Sequence, residues 1–144
     1  MKISNPDWRL DSRLQADTMA VLENSEYVVV LMNDSRWPWL IVVPKVPGAE
    51  ELHDLDQTRR TAVMEHATLL GERLKAMTQC DKINIAAIGN IVRQLHIHVI
   101  ARIEGDPNWP APVWGYGKAE KYDDTQATEL IAQLKEKLFD PPLS

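Results

Sequence analysis

The spacing of apolar residues divides the chain into blocks of different period. From residue 17 to residue 44 the apolar positions come in short β-rich runs, 18–22, 27–32 and 40–43. Turn chemistry separates them, Asn24-Ser25 after the first and Asn33, Asp34 and Ser35 after the second. Pro38 keeps a strand from running unbroken through Trp37, and Pro44, Pro47 and Gly48 close the block. Leu40, Ile41, Val42 and Val43 are continuously apolar, the pattern of a strand buried on both faces.

After Asp56, a residue suited to cap a helix, the period lengthens. Val63, His66, Leu70, Leu74 and Met77 recur at intervals of three and four, which predicts a helix over 57–77 with its apolar stripe on a sheet. The acids Asp54 and Asp56 then act as caps and favour the positive end of the helix dipole. Strand character returns over 82–88, stops at Gly89-Asn90, and resumes over 95–102. Alternation in that last run puts Leu95, Ile97 and Val99 on one face and Gln94, His96, His98 and Arg102 on the other. Residues 104–117 are turn-rich, with three prolines, two tryptophans and three glycines. A final helix over 124–139 places Leu134 and Leu138 on one stripe with Leu130 or Ile131, and Pro141-Pro142 stop it.

This order predicts an α+β fold, a mainly antiparallel sheet of about five strands with one long helix packed on it and a C-terminal helix. With 144 residues and no internal repeat, the chain fits a single domain over 1–144, in which 104–144 form a C-terminal loop and helix extension. Apolar residues make up 44% and charged residues 26%, so a packed core is expected rather than disorder. Cys80 is the only cysteine, which rules out an intramolecular disulfide and suits a reducing, cytoplasmic setting. The opening residues 1–12 lack the apolar stretch of a signal peptide, and no apolar run approaches the ~20 residues that span a bilayer. A formal net charge of −5 argues against nucleic acid as a partner, because binding a phosphate backbone needs a basic face. It leaves room for a small phosphate ligand held by a local cluster or by backbone N–H groups.

The chemistry lies in the run from Gly89 to Ile100. Three polar side chains, Gln94, His96 and His98, on one strand face need partners if that face is buried, and cost nothing if it is solvated. Two neighbouring imidazoles can act as donors, one can be a nucleophile, or both can hold a metal. Zinc asks for three or four ligands, and the sequence offers no third beside His96 and His98, neither a His-Glu-x-x-His motif nor a cysteine pair, so no metal site is expected.

The segment resembles the signature of the histidine triad family, whose strand carries His-x-His-x-His followed by apolar residues. The apolar strand ending in Pro44-Lys45, the helix after it and the Gly89-Asn90 break follow in the family's order, over roughly residues 10–105. The resemblance implies that His96 is the nucleophile that attacks the α-phosphate of a nucleotide and that His98 lies against the phosphates. It implies a phosphate or leaving-group contact at Asn90 and a ribose contact at Asn33. Gln94 departs from the pattern, since an amide can donate and accept but cannot carry charge or relay a proton. Arg102, on the His96 face by alternation, is a further candidate for phosphate.

The implied activity is that of a nucleotide hydrolase or nucleotidyl transferase acting on a dinucleoside polyphosphate or a nucleoside phosphoramidate. The partner is then a small nucleotide, with no resident cofactor, Mg²⁺ accompanying a polyphosphate at most, and a homodimer with a joined sheet as the assembly. The alternative is a nucleotide-binding or sensing protein in which Gln94 has abolished turnover. A neutral imidazole, with an ordinary pKa near 6.5, is a good nucleophile at neutral pH. This chemistry expects His96 to be fixed through Nδ1, to a backbone carbonyl, with Nε2 left free. Trp37, Trp39, Trp109 and Trp114 suit base stacking, a partner surface, or packing of the C-terminal loop onto the domain. His66, on the helix stripe, reads as a core histidine, and Cys80 as structural.

Overall fold

The computed structural model describes residues 7–139. Residues 1–6 of the opening stretch and the Pro141-Pro142 stop lie outside the described residues. Five strands, β1 (Thr18–Glu23), β2 (Tyr27–Met32), β3 (Trp39–Pro44), β4 (Lys82–Ala86) and β5 (Ile97–Arg102), form one antiparallel sheet in the order β1-β2-β3-β5-β4. The long helix α2 (Gln57–Thr78) crosses between β3 and β4, and α3 (Asp124–Phe139) ends the described chain.

The strands alternate as their sequences demand, and both faces of the sheet are covered. Val29 and Leu31 of β2, Leu40 and Val42 of β3 and Ile97, Val99 and Ala101 of β5 point to one face. There they meet Val63, Ala67, Leu70 and Leu74 of α2 and Leu134 and Leu138 of α3. Val28, Val30, Trp39, Ile41, Val43 and Ile100 point to the opposite face, under Leu14, Trp37 and Val113. The run at 40–43 is therefore buried on both sides, as its continuous apolar character required. α2 approaches β4 closely enough that a Cβ on Gly71 would stand 3.2 Å from Ile83 Cγ2. Asp56 caps α2 by accepting from Arg59 N at 2.8 Å.

Three boundaries differ from the sequence expectation. A six-residue helix, α1 (Ser12–Asp17), precedes β1, capped by Asp11, whose carboxylate accepts from Arg13 N and Leu14 N. β4 stops at Ala86 rather than at residue 88. β5 begins at Ile97 rather than at residue 95, because Leu95 N already donates to Ala49 O at 2.9 Å, outside the sheet. The ten residues between β4 and β5 therefore form an irregular connection, and it leads directly into His96 and His98. No helix among the described residues is long and apolar enough to cross a membrane.

Candidate active site

His96, immediately before β5, and His98, the second residue of β5, are 5% and 3% exposed, with ring centroids 4.8 Å apart in an edge-on arrangement. Each ring is fixed in the opposite sense to the other. His96 Nδ1 lies 2.6 Å from the backbone carbonyl of Gln94. A carbonyl only accepts, so Nδ1 bears the proton and the lone pair of the neutral ring sits on Nε2. Among the described residues no hydrogen bond engages that Nε2, and the buried unpartnered side-chain nitrogens are those of Trp8 and Trp114 instead. The geometry matches the expectation of an engaged Nδ1 and a free Nε2.

His98 has no free nitrogen. Trp39 Nε1 donates to its Nδ1 at 2.9 Å, and its Nε2 faces the Ile88 carbonyl at 3.1 Å. An indole N–H can only donate, so Nδ1 is the acceptor and Nε2 carries the proton, which it gives to Ile88. Burial, and then the neighbouring His96, lower the pKa of His98 from 6.5 to about 4, against a smaller upward push from the Ile88 carbonyl. The ring is neutral at physiological pH and cannot, as it stands, donate to a phosphate.

The residues marked in the sequence fall into three groups. His96, His98 and the Gly89-Asn90 turn come together: an added Cβ on Gly89 would lie 3.5 Å from His96 Cε1 and 2.6 Å from the Val92 carbonyl. Asn90 is exposed at this turn. Among the described residues, no backbone N–H of residues 88–94 donates to another backbone group outside the sheet ladders. Asn33 lies elsewhere, lining a cavity of about 310 Å³ with Met32, Arg36, Trp39 and Trp114, and its Oδ1 accepts from Tyr122 N at 2.9 Å.

Gln94 and Arg102 do not join the histidines as expected. The Gln94 side chain turns to the N-terminal segment, accepting from Asp11 N at 2.9 Å and donating to Arg9 O at 2.8 Å. The alternation that placed it beside His96 fails because the strand has not yet begun at residue 94. It serves His96 through its backbone carbonyl, which any residue would supply. Arg102 shares the His98 face but is 1% exposed. Its donors go to both oxygens of Asp106, to Asn84 Oδ1 and to the carbonyls of Ala111 and Pro107. It is a buried anchor for the 104–117 loop, with nothing left for phosphate.

Two residues of this site were given no such role by the sequence. Trp39 bonds His98, and Trp114 of the C-terminal loop stands edge-on to it, with centroids 5.1 Å apart. Both indoles separate His98 from the 310 Å³ cavity whose wall they also form. A larger cavity of about 690 Å³, lined by Tyr27, His66, Arg59 and Asp56 among others, lies on the α2 side of the sheet, opposite the histidine pair. His66 is buried in it against Tyr27, with ring centroids 4.4 Å apart, a core position as its helix stripe implied.

An antiparallel α+β sheet that brings a His-x-His strand and a glycine turn together defines a histidine triad protein. The sequence model of the HIT domain matches residues 13–105, all five strands of the sheet and all of α2, and the chain belongs to that family. Its solved relatives include a histidine triad protein of Sinorhizobium meliloti, 45% identical over 91% of this chain and 97% of that one, with a TM-score of 0.88. A histidine triad protein of Bradyrhizobium japonicum is 41% identical over 92% and 99% of the two chains, also at 0.88. One of Marinobacter aquaeolei is 40% identical over 91% and 96%, again at 0.88. No curated protein matches the chain. The family is one of nucleotide-binding proteins that includes hydrolases and transferases.

Proposed function

We propose that the protein is a nucleotide hydrolase or nucleotidyl transferase that cleaves at the α-phosphate of a dinucleoside polyphosphate or a nucleoside phosphoramidate, with His96 as nucleophile. The observation that carries this reading is the bond from His96 Nδ1 to the Gln94 carbonyl at 2.6 Å, which leaves the lone pair on Nε2. Nε2 attacks phosphorus, the bond to the leaving oxygen or nitrogen breaks, and the leaving group takes a proton from solvent. The ring of the nucleotidyl-histidine is cationic, and its Nδ1–H remains on the Gln94 carbonyl, which stabilises that charge. Water then attacks phosphorus and gives a proton to solvent, the P–N bond breaks with its electron pair returning to Nε2, and the nucleoside monophosphate leaves with His96 neutral again. In a transferase another nucleophile replaces the water.

Charge on the phosphate oxygens is met by Asn90 and the backbone N–H groups of the turn rather than by His98, whose protons are committed. For the nucleoside we propose the cavity lined by Asn33, Trp39 and Trp114, whose aromatic walls suit a base. Mg²⁺ accompanies a polyphosphate substrate as its counter-ion and not as a resident of the protein.

The assembly proposed is a homodimer with a joined sheet. β4 is an edge strand, and Ile85 on it is 41% exposed, with Ile88 at 40% and Ile91 at 75% in the following turn. Such an apolar edge invites pairing with a second copy. Sedimentation of the intact protein as a monomer at micromolar concentration would dismiss it.

The engagement of both His98 nitrogens favours a second reading, a nucleotide-binding protein without turnover. Incubation of wild type and His96→Ala with adenosine 5′-phosphoramidate and diadenosine polyphosphates, following AMP, separates the two. AMP from wild type alone supports nucleotidyl transfer. Binding without AMP moves the protein to the sensing reading.

A further inference from the structure

We infer that Trp39 is a positioning residue of the site: its indole N–H fixes the tautomer and charge of His98, which in turn clamps the 88–90 turn against His96. The inference rests on the reading of His96 as the reacting group. It adds a residue that touches neither the nucleotide phosphates nor His96 itself.

Register brings the pair together. In the β3–β5 ladder Ile41 faces His98 and Trp39 faces Ile100, so Trp39 is the diagonal neighbour of His98 on the same face. Diagonal pairs stand about 7–8 Å apart at the backbone, a span that an indole reaches and a short side chain does not. Trp39 is 6% exposed and packed edge-on to both Trp37 and Trp114, so its ring is held in one orientation.

A proton on His98 Nδ1 would set two donors against each other across 2.9 Å, so the indole excludes both the Nδ1–H tautomer and the imidazolium. The proton is left on Nε2, aimed at the Ile88 carbonyl at 3.1 Å. Ile88 precedes Gly89, where an added Cβ would stand 3.5 Å from His96 Cε1. The chain of contacts runs from Trp39 through His98 and Ile88 to the turn beside His96. The groups facing His98 are His96 just before β5, Trp39 on β3, Trp114 on the C-terminal loop and the Ile88 carbonyl, and of these His96 alone has an ionisable side chain. An indole does not ionise in the working range, so this device holds His98 in one state across neutral pH, unlike a second imidazole in its place.

The test is nitrogen-15 NMR of histidine-labelled protein, wild type and Trp39→Phe, from pH 7.5 to pH 5, with AMP release measured on the same samples. Wild type should show His98 with an unprotonated, hydrogen-bonded Nδ1 and a protonated Nε2 across this range. Trp39→Phe keeps an aromatic ring in the core but removes the donor. His98 Nδ1 should shift to its unbonded value and begin to titrate within the range. Amide exchange in the 88–90 turn should quicken, and kcat should fall roughly ten- to a hundredfold, most at the acid end.

A wild-type His98 protonated on Nδ1, or titrating as a free imidazole, overturns the inference without any variant. So does a Trp39→Phe protein whose His98 signals and pH profile match wild type. Expected NMR behaviour with no AMP from wild type on any substrate supports the clamp and sinks the nucleotidyl-transfer reading, so the two failures are distinct.

Discussion

Acidification between pH 7 and pH 4 should destabilise the protein through one identified group. His98 has a folded pKa of about 4, while the unfolded chain returns it to about 6.5. Between these values the unfolded state binds the extra proton, so stability rises with pH. The contribution is fully present above the unfolded value and is lost as pH falls towards the folded one. A displacement of about 2.5 units corresponds to about 3 kcal/mol in the limit. Integration over the range gives a loss of about 2 kcal/mol between pH 7 and pH 5. With a urea dependence of roughly 1–3 kcal/mol per molar, the midpoint should fall by about a molar over those two pH units.

The measurement is a set of urea curves by tryptophan fluorescence and far-ultraviolet circular dichroism, for wild type and His98→Gln. Glutamine supplies an oxygen for Trp39 and an N–H for Ile88 but does not titrate. The variant's stability should therefore stay flatter between pH 7 and pH 5, with the carboxylates taking over only below that. Depressed carboxyls such as Asp34, held down by Arg36, and Asp106, held down by Arg102, contribute at lower pH in both proteins. If wild type and His98→Gln lose stability in parallel between pH 7 and pH 5, the burial and bonding assigned to His98 are wrong.

Further outcomes follow from neighbouring contacts. Asp106→Asn leaves the guanidinium of Arg102 buried without its counter-charge and should cost about 3–5 kcal/mol, measured by calorimetry; a loss under about 1 kcal/mol would mean that water reaches the pair. Gly89→Ala forces a Cβ to within 2.6 Å of the Val92 carbonyl, so the turn must move. Nucleotide turnover should drop well before global stability does, and unchanged kcat would show that the turn does not position His96. Gln94→Ala removes two bonds to the N-terminal segment and should cost about 1–3 kcal/mol, while leaving the His96 Nδ1 bond to the residue-94 carbonyl intact. Retention of most of the turnover is the expected result; its complete loss would return the Gln94 side chain to the chemistry.

The fold was legible because periodicity survives in elements long enough to display it. α2 keeps three-and-four spacing from Val63 to Met77, and β3 is apolar throughout because both of its faces are covered. α1 is too short to show a period, and its one signal, the capping Asp11, is common in turns as well. At His96 the motif and the backbone agree, since Nδ1 lies on the Gln94 carbonyl. The sequence pattern failed at Gln94, where alternation was continued into residues that are not yet strand. It failed also at Arg102, whose face was right but whose partner, Asp106, lies four residues on in the following loop. Trp39 and His98 are separated by 59 positions, and only the register of β3 against β5 brings them together.

The most direct measurement is rapid quenching of the protein during turnover of adenosine 5′-phosphoramidate, followed by mass spectrometry of its peptides. An adenylyl group should appear on the peptide containing His96, form within the first turnover and be absent from His96→Ala. AMP release without any adduct, or an adduct on another residue, would contradict the assignment of His96 as the nucleophile.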